Sequence, residues 1–365
     1  MRIEGKNWKT IWLESDKESI GIINQNKLPH KLETEKLYSH KEVFLAIKNM
    51  LVRGAPLIGV SGGYGFALAV KEDPSDSSIK ECFEFLNSAR PTAVNLNWAL
   101  KRIYNKIKNT KPSNRFEIAL NEARNIEAED IKMCSSIGEH GEKLIADIAR
   151  RKSGSPSQKT VNILTHCNAG WLATVDWGTA LAPIYKSHRS GINLHVWVDE
   201  TIPRNQGASL TSFELEGEGI PHTVIVDNAG GYLMQKNQVD LVIVGSDRTT
   251  SRGDVCNKIG TYLKALAAND CNVPFYAALP FSTIDWELSN GLEEIEIEIR
   301  NPEEVSIISG VTKSDYIEEV RIVPEFSKCF NPSFDVTPAK LVTGLITERG
   351  ISSADYNGLK KLYIS

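Results

Sequence analysis

Between residues 41 and 150 apolar positions recur at three- and four-residue spacing, and the chain reads as helices at 41–50, 62–71, 94–108 and 116–150. That half is predicted to be a mostly helical domain with few strands. The stretch 153–159, Ser-Gly-Ser-Pro-Ser-Gln-Lys, breaks the periodicity with turn-forming residues and reads as a linker or exposed loop. A boundary near 150 follows, with one domain over 1–150 and a second over 151–365. Beyond it short apolar runs at 161–165, 193–198, 222–226, 241–244 and 274–279 alternate with helix-like stretches at 179–189, 210–217 and 258–268. This rhythm specifies βαβ units, so the second domain is expected to be an α/β, Rossmann-like parallel sheet. No GxGxxG and no P-loop lysine follows its first strand, which leaves dinucleotide and nucleoside triphosphate binding without direct support.

Length and composition narrow the class. A chain of 365 residues exceeds the size at which one core keeps growing, which favours two domains. A formal net charge of −4 argues against a broad nucleic-acid footprint, but not against a small basic pocket for one phosphate. Cysteines at 82, 134, 167, 256, 271 and 329 form neither CxxC pairs nor zinc-finger spacing, and free thiols fit a reducing cytoplasm. The first residues lack an apolar signal segment, and no run approaches the roughly 18 apolar residues of a membrane span. A soluble, unexported protein without nucleic-acid or membrane partners is expected.

The candidate chemistry lies at strand ends. His166 and Cys167 follow the run ending at Thr165; Asp199 and Glu200, Asp227 and Asn228, and Asp247 and Arg248 follow the next three apolar runs. In a parallel sheet these ends share one edge, so loops distant in sequence converge on one crevice. Asp247 closes a buried-strand pattern; there it is either a partly desolvated general acid or base, or a structural acid that caps its turn or pairs with Arg248. Cys167 opens a Cys-Asn-Ala-Gly turn into a helix, where amides stabilise a thiolate or an oxyanion; the alternative is a small buried side chain. A zinc site of His166 and Cys167 is disfavoured, because adjacent residues on an extended segment face opposite ways. Asn257 beside Lys258, near an expected helix start, suits a phosphate. Arg53 with Gly54 and Ala55, Arg90 before Pro91, and Gln206 supply further anion-binding groups, although each arginine taken singly also reads as a surface residue.

These segments together resemble a known family. Arg53-Gly-Ala-Pro-Leu-Ile-Gly59, the run from Arg90 to Leu100, Thr165-His-Cys-Asn-Ala-Gly170, the run from Asp199 to Gly207, Gly245-Ser-Asp-Arg248 and the run from Gly253 to Thr261 are similar to the methylthioribose-1-phosphate isomerases of methionine salvage. So are the opening from Ile11 to Pro29 and the closing from Phe334 to Lys340; the likeness covers about residues 10 to 350. The resemblance implies an aldose–ketose isomerase, a homodimer, that converts 5-methylthio-ribose 1-phosphate to 5-methylthio-ribulose 1-phosphate without metal or organic cofactor. It implies that Cys167 is the active-site thiol, that Asp247 is the proton donor, and that Arg53, Gly54, Ala55, Arg90, Gln206, Asn257 and Lys258 hold the sugar phosphate. The family shares its fold with the regulatory subunits of translation initiation factor 2B, a non-catalytic alternative that does not need thiol, acid and phosphate cradle together. Two departures bear on the sugar's 5-substituent: Ala229 stands where a larger residue is common, and Ser251-Arg252 replaces Ala-Asn. They admit 5-deoxyribose 1-phosphate, and Arg252 admits ribose 1,5-bisphosphate, as alternative substrates.

Overall fold

A computed structural model describes residues 1–3, 5–91, 93–152 and 159–363, so most of the expected linker at 153–159 lies outside the described residues. The chain opens with more strand than its periodicity suggested. Arg2–Ile3 (β1) pairs with Lys6–Asn7 (β2), and Ile11–Leu13 (β3), Ile20–Ile23 (β4) and Thr34–Leu37 (β5) form a three-stranded antiparallel sheet. All four residues of β4 are buried, so no alternation marks it as a strand.

Five helices follow: His40–Lys48 (α1), Ala55–Glu72 (α2), Asp76–Asn87 (α3), Val94–Ile107 (α4) and Pro112–Arg151 (α5). Ser39 and Glu42 close a capping box on α1, and proline in the first turn starts both α2 and α5. Helix α2 begins at Ala55 rather than near 62. It is apolar on all sides and buried almost throughout, as befits the helix at the centre of a bundle. Helix α5 serves two cores: Ala119, Leu120, Ala123 and Ile126 pack with α2 and α4, and Ile137 and Ile145 pack with the large sheet.

That sheet has seven strands in the order β18-β17-β12-β9-β6-β7-β8. In chain order they are Val161–Thr165 (β6), Leu194–Asp199 (β7), His222–Ile225 (β8), Leu241–Val244 (β9), Phe275–Ala278 (β12), Gly344–Thr347 (β17) and Gly350–Ser352 (β18). All neighbours run parallel except β17 with β18. Helices Ala182–Arg189 (α6), Ser212–Gly217 (α7), Ala229–Gln235 (α8) and Thr261–Asp270 (α9) lie between the parallel strands in sequence. The order reverses at β6 and β9, where an open α/β sheet forms its crevice.

A second sheet, absent from the sequence reading, covers one side of that crevice. Arg248–Thr250 (β10), Val255–Lys258 (β11), Ile284–Asp285 (β13) and Phe334–Thr337 (β16) order as β13-β10-β11-β16. The helix expected from 258 therefore starts at Thr261, and Asn257 and Lys258 end a strand, paired with Asp335 and Phe334 of β16. Every residue of β11 is buried, which hides the period-two signal of a half-exposed strand. Ile307–Val311 (β14) and Ile317–Arg321 (β15) form a separate hairpin.

Candidate active site

The nine residues singled out in the sequence meet in one cleft. Arg53, Gly54, Ala55, Arg90, Cys167, Gln206, Asp247, Asn257 and Lys258 all line a cavity of about 610 Å³ at the carboxyl ends of β6 and β9. The helical half supplies the first four and the sheet half the rest.

Backbone geometry explains how short segments reach it. Gly54 has φ +97°, and a Cβ there would lie 2.4 Å from the Ala173 carbonyl oxygen, so only glycine turns the chain from Arg53 into α2. The turn aims the positive end of an 18-residue helix at the cleft. Gly207 packs just as closely on Asp199, where a Cβ would overlap the Asp199 carbonyl oxygen, and this contact seats Gln206 beside Cys167. Cys167 itself has φ +65°, a left-handed conformation that costs a non-glycine residue about 1 kcal/mol or more. Surrounding bonds hold it there: its N–H donates to Thr201 Oγ1 at 2.8 Å, and the Thr211 hydroxyl donates to its carbonyl at 2.7 Å.

The thiol of Cys167 donates to Gln206 Oε1 at 3.4 Å. Burial pushes this thiol up from its ordinary range, against the pull of Arg53 and Lys258. Burial also raises the Asp247 carboxyl, opposed chiefly by Lys258 and then by Arg90 and Arg53. The backbone N–H of Asp247 donates to Cys256 O at 2.9 Å, but its carboxylate has no hydrogen-bond partner among the described residues. Pairing with Arg248, one structural reading of the sequence, is not observed; Arg248 faces Asp285 at 3.7 Å. Lys258 is buried over the Phe334 ring, 4.6 Å from its centre, and desolvation pushes its ammonium down.

Arg53 is aimed by Asn168, to whose side-chain and main-chain oxygens it donates at 2.6 and 2.7 Å. Asn168 is fixed in turn by Glu214, a buried carboxylate that also accepts from the N–H groups of Trp171 and Leu172 and from the Tyr185 hydroxyl. Sequence reasoning missed Asn168 and Glu214. The first sits inside the Cys-Asn-Ala-Gly turn, a detectable signal, but nothing local marks Glu214. Arg90 is held by Glu298 at 2.9 Å. Asn257 donates to Thr261 Oγ1 at 3.0 Å.

Beneath the cleft lies a second polar group. His166 Nδ1 is 2.8 Å from Asp199 Oδ2, its Nε2 is 2.8 Å from the carbonyl of Ile259, and Asp227 lies 4.0 Å away. His166, Asp199 and Asp227 are donor types for a divalent cation, with ligand atoms within 4.8 Å of one another. The Lys264 ammonium, 3.2 Å from Asp199 Oδ2, already supplies the counter-charge. The pair thus braces the Cys167 turn against the strand carrying Lys258. Two expectations need correction: neither Ala229 nor the exposed Arg252 is among the residues lining the cleft, because one lies at the first turn of α8 and the other in an outer turn after β10.

Residues 51–354 match the pattern of the initiation factor 2 subunit family. The chain belongs to that family. Within it, full-length relatives above half identity are named methylthioribose-1-phosphate isomerases. The protein of that name from Methylocella silvestris is 55% identical over 98% of this chain and 97% of its own length, and that from Methylorubrum extorquens 54% identical over 100% and 98%. Among solved structures, 5-methylthioribose 1-phosphate isomerase from Pyrococcus horikoshii superposes with a TM-score of 0.82 at 38% identity, covering 98% of this chain and 96% of that one. A structure from A. fulgidus described as translation initiation factor eIF-2B, subunit delta, gives 0.78, also at 38% identity, covering 98% and 99%. The fold is common to both branches of the family, so the chemistry of the cleft has to separate them.

Proposed function

We propose that this chain is an aldose–ketose isomerase that converts 5-methylthio-ribose 1-phosphate to 5-methylthio-ribulose 1-phosphate. One observation carries the reading: the cleft gathers a carboxyl raised by burial, a buried thiol and two cations, Arg53 and Lys258, that have no carboxylate bonded to them among the described residues. Full-length relatives above half identity carry the matching name.

The C1 phosphate locks the sugar as a ring that cannot open by losing a hydroxyl proton. Asp247 gives its proton to the ring oxygen as the bond from that oxygen to C1 breaks, and positive charge spreads over C1 and its ester oxygen. Hydrogen then passes from C2 to C1. Burial raises the Cys167 thiol, which donates to Gln206, and this supports a stabilising role for it over that of a base; in that scheme the hydrogen moves as hydride while the C2 hydroxyl proton returns to the Asp247 carboxylate. Atoms and charge balance, and the acid is regenerated. Cys167 lines the site as a polarisable, water-excluding neighbour. Arg53, Arg90, Gln206, Asn257, Lys258 and the amides at Gly54 and Ala55 bind the substrate, chiefly its phosphate.

Two domains meeting near residue 150, a cytoplasmic location and a homodimer complete the reading. Six free cysteines support a reducing compartment, and exposed Val224, Val226, Tyr232 and Leu263 on and beside the β8 edge support self-association. The direct test is to assay purified protein with the 5-methylthio, 5-deoxy and 5-phospho pentose 1-phosphates. Turnover of the methylthio sugar with no solvent deuterium at C1 in heavy water is expected. Turnover of the bisphosphate alone overturns the assignment, and deuterium at C1 overturns the hydride step.

A further inference from the structure

A chain of alternating charges leads away from the cleft arginine. Arg90 donates to Glu298 Oε2 at 2.9 Å, and Arg300 donates to the other oxygen of that carboxylate at 3.4 Å. Arg300 also forks onto Glu304, Nε to Oε2 at 3.0 Å and Nη2 to Oε1 at 2.7 Å, and Arg204 donates to the same Oε1 at 2.9 Å. Each carboxylate thus lies between two guanidinium groups, and Arg300 is the link that both share. Burial would raise the Glu304 carboxyl, but Arg300, Arg204 and the Asn331 amide hold it down at about 2, so it stays ionised. Segments far apart in sequence are joined in this way, because Arg204 leads into Gln206 and also donates to Asn26 Oδ1 at 3.2 Å.

The two ends of the chain differ in what they leave free. Arg204 is bonded on both sides, to Glu304 and Asn26. Arg90 lines the cleft and keeps a buried Nε with no hydrogen-bond partner among the described residues, so one donor of its fork is open to an anion. Glu298 competes with that anion for Arg90. A carboxylate that Arg300 shares attracts Arg90 less than a lone one would, and it is fixed from behind, which sets the direction of the Arg90 fork.

We infer that Arg300 is a positioning residue of the phosphate end: shared between Glu298 and Glu304, it keeps Arg90 aimed and available to the substrate's phosphate, although it does not itself line the cleft. This rests on the isomerase reading above, in which Arg90 takes part in phosphate binding. Removing the charge of Arg300 gives Glu298 wholly to Arg90, so anion affinity falls while Asp247 and Cys167 stay in place.

Arg300→Gln tests the role, with inorganic phosphate as the probe and calorimetry as the readout. The Kd for phosphate is expected to rise about 10-fold, and KM for the methylthio sugar with it, while kcat stays within about 3-fold. In an Arg90→Gln background the same substitution should change Kd by less than about 2-fold, because the group it acts through is gone. Arg300→Lys restores the charge but not the fork, and should bring Kd to within about 3-fold of the wild type. If Arg300→Gln does not fold, the lysine variant carries the comparison, with a rise in Kd of up to about 3-fold that disappears without Arg90. A wild-type protein that binds no phosphate, an equal rise in Kd with and without Arg90, or a loss of kcat at constant Kd overturns the positioning role. The expected pattern of phosphate binding in a protein that turns over none of the pentose 1-phosphates overturns the isomerase reading and leaves the positioning role standing.

Discussion

Buried charge is treated differently inside the helical bundle and in the cleft. In the helical half, buried Glu122 accepts from Arg102 at 2.5 Å and faces Lys106 at 2.6 Å, and buried Arg115 bonds Asp76 at 2.5 Å and three main-chain carbonyls. Asp130, buried without a cation, is pushed up to about 7 by desolvation, and its carboxylate accepts from the Val175 N–H. In the cleft, Lys258, Arg53 and Asp247 are buried or half-buried with no opposite charge bonded to them. Charges matched inside the protein stabilise the fold. Charges left unmatched cost stability and are ready for a ligand.

The largest effect that sharpens this contrast is loss of the cleft acid. Asp247→Asn should lower kcat about 1,000-fold or more, since the ring oxygen loses its proton donor, while the melting temperature holds or rises. A fall in both would make Asp247 structural and break the comparison. Next comes the unmatched cation. Lys258→Met should weaken inhibition by inorganic phosphate about 100-fold, and thermal unfolding should show no loss, because the ammonium's desolvation penalty disappears with it.

A matched charge should behave in reverse. Glu122→Ala should leave kcat/KM within about 2-fold but cost about 1–3 kcal/mol in denaturant unfolding, discounted from a fully buried pair because Arg102 and Lys106 are partly exposed. Asp130 gives the most specific effect. Its folded-state affinity for protons exceeds that of the unfolded chain, so stability falls as pH rises from about 4 to about 7 and is flat above. Asp130→Asn should remove that slope, as read by denaturation at pH 5 and pH 8. For turnover the sign is similar: a raised Asp247 is active when protonated, so kcat/KM should fall as pH rises through its range, and Asp247→Asn should abolish that limb.

Much of the cleft was legible because strand ends in a parallel sheet share an edge. Cys167 follows β6 and Asp247 follows β9, so their meeting followed from the alternation of strands and helices alone. Asn257 and Lys258 were legible as candidate site residues but expected near a helix start, because a fully buried strand such as β11 has no alternating face to detect. Glu214 was invisible for a different reason. Its role is to hold Asn168, 46 positions away in the chain, and no local pattern records such a bond.

By itself the sequence determined the helical and sheet halves, the strand-end chemistry and the family, since these rest on periodicity and on residues near one another in the chain. Only the tertiary structure decided which charges are matched. Arg90 and Glu298 lie far apart in sequence, and so do Arg248 and Asp285, yet the fold brings each pair together, while Arg53 and Lys258 keep no carboxylate bonded to them among the described residues. Charge balance inside a protein depends on distance and burial, and neither is written along the chain.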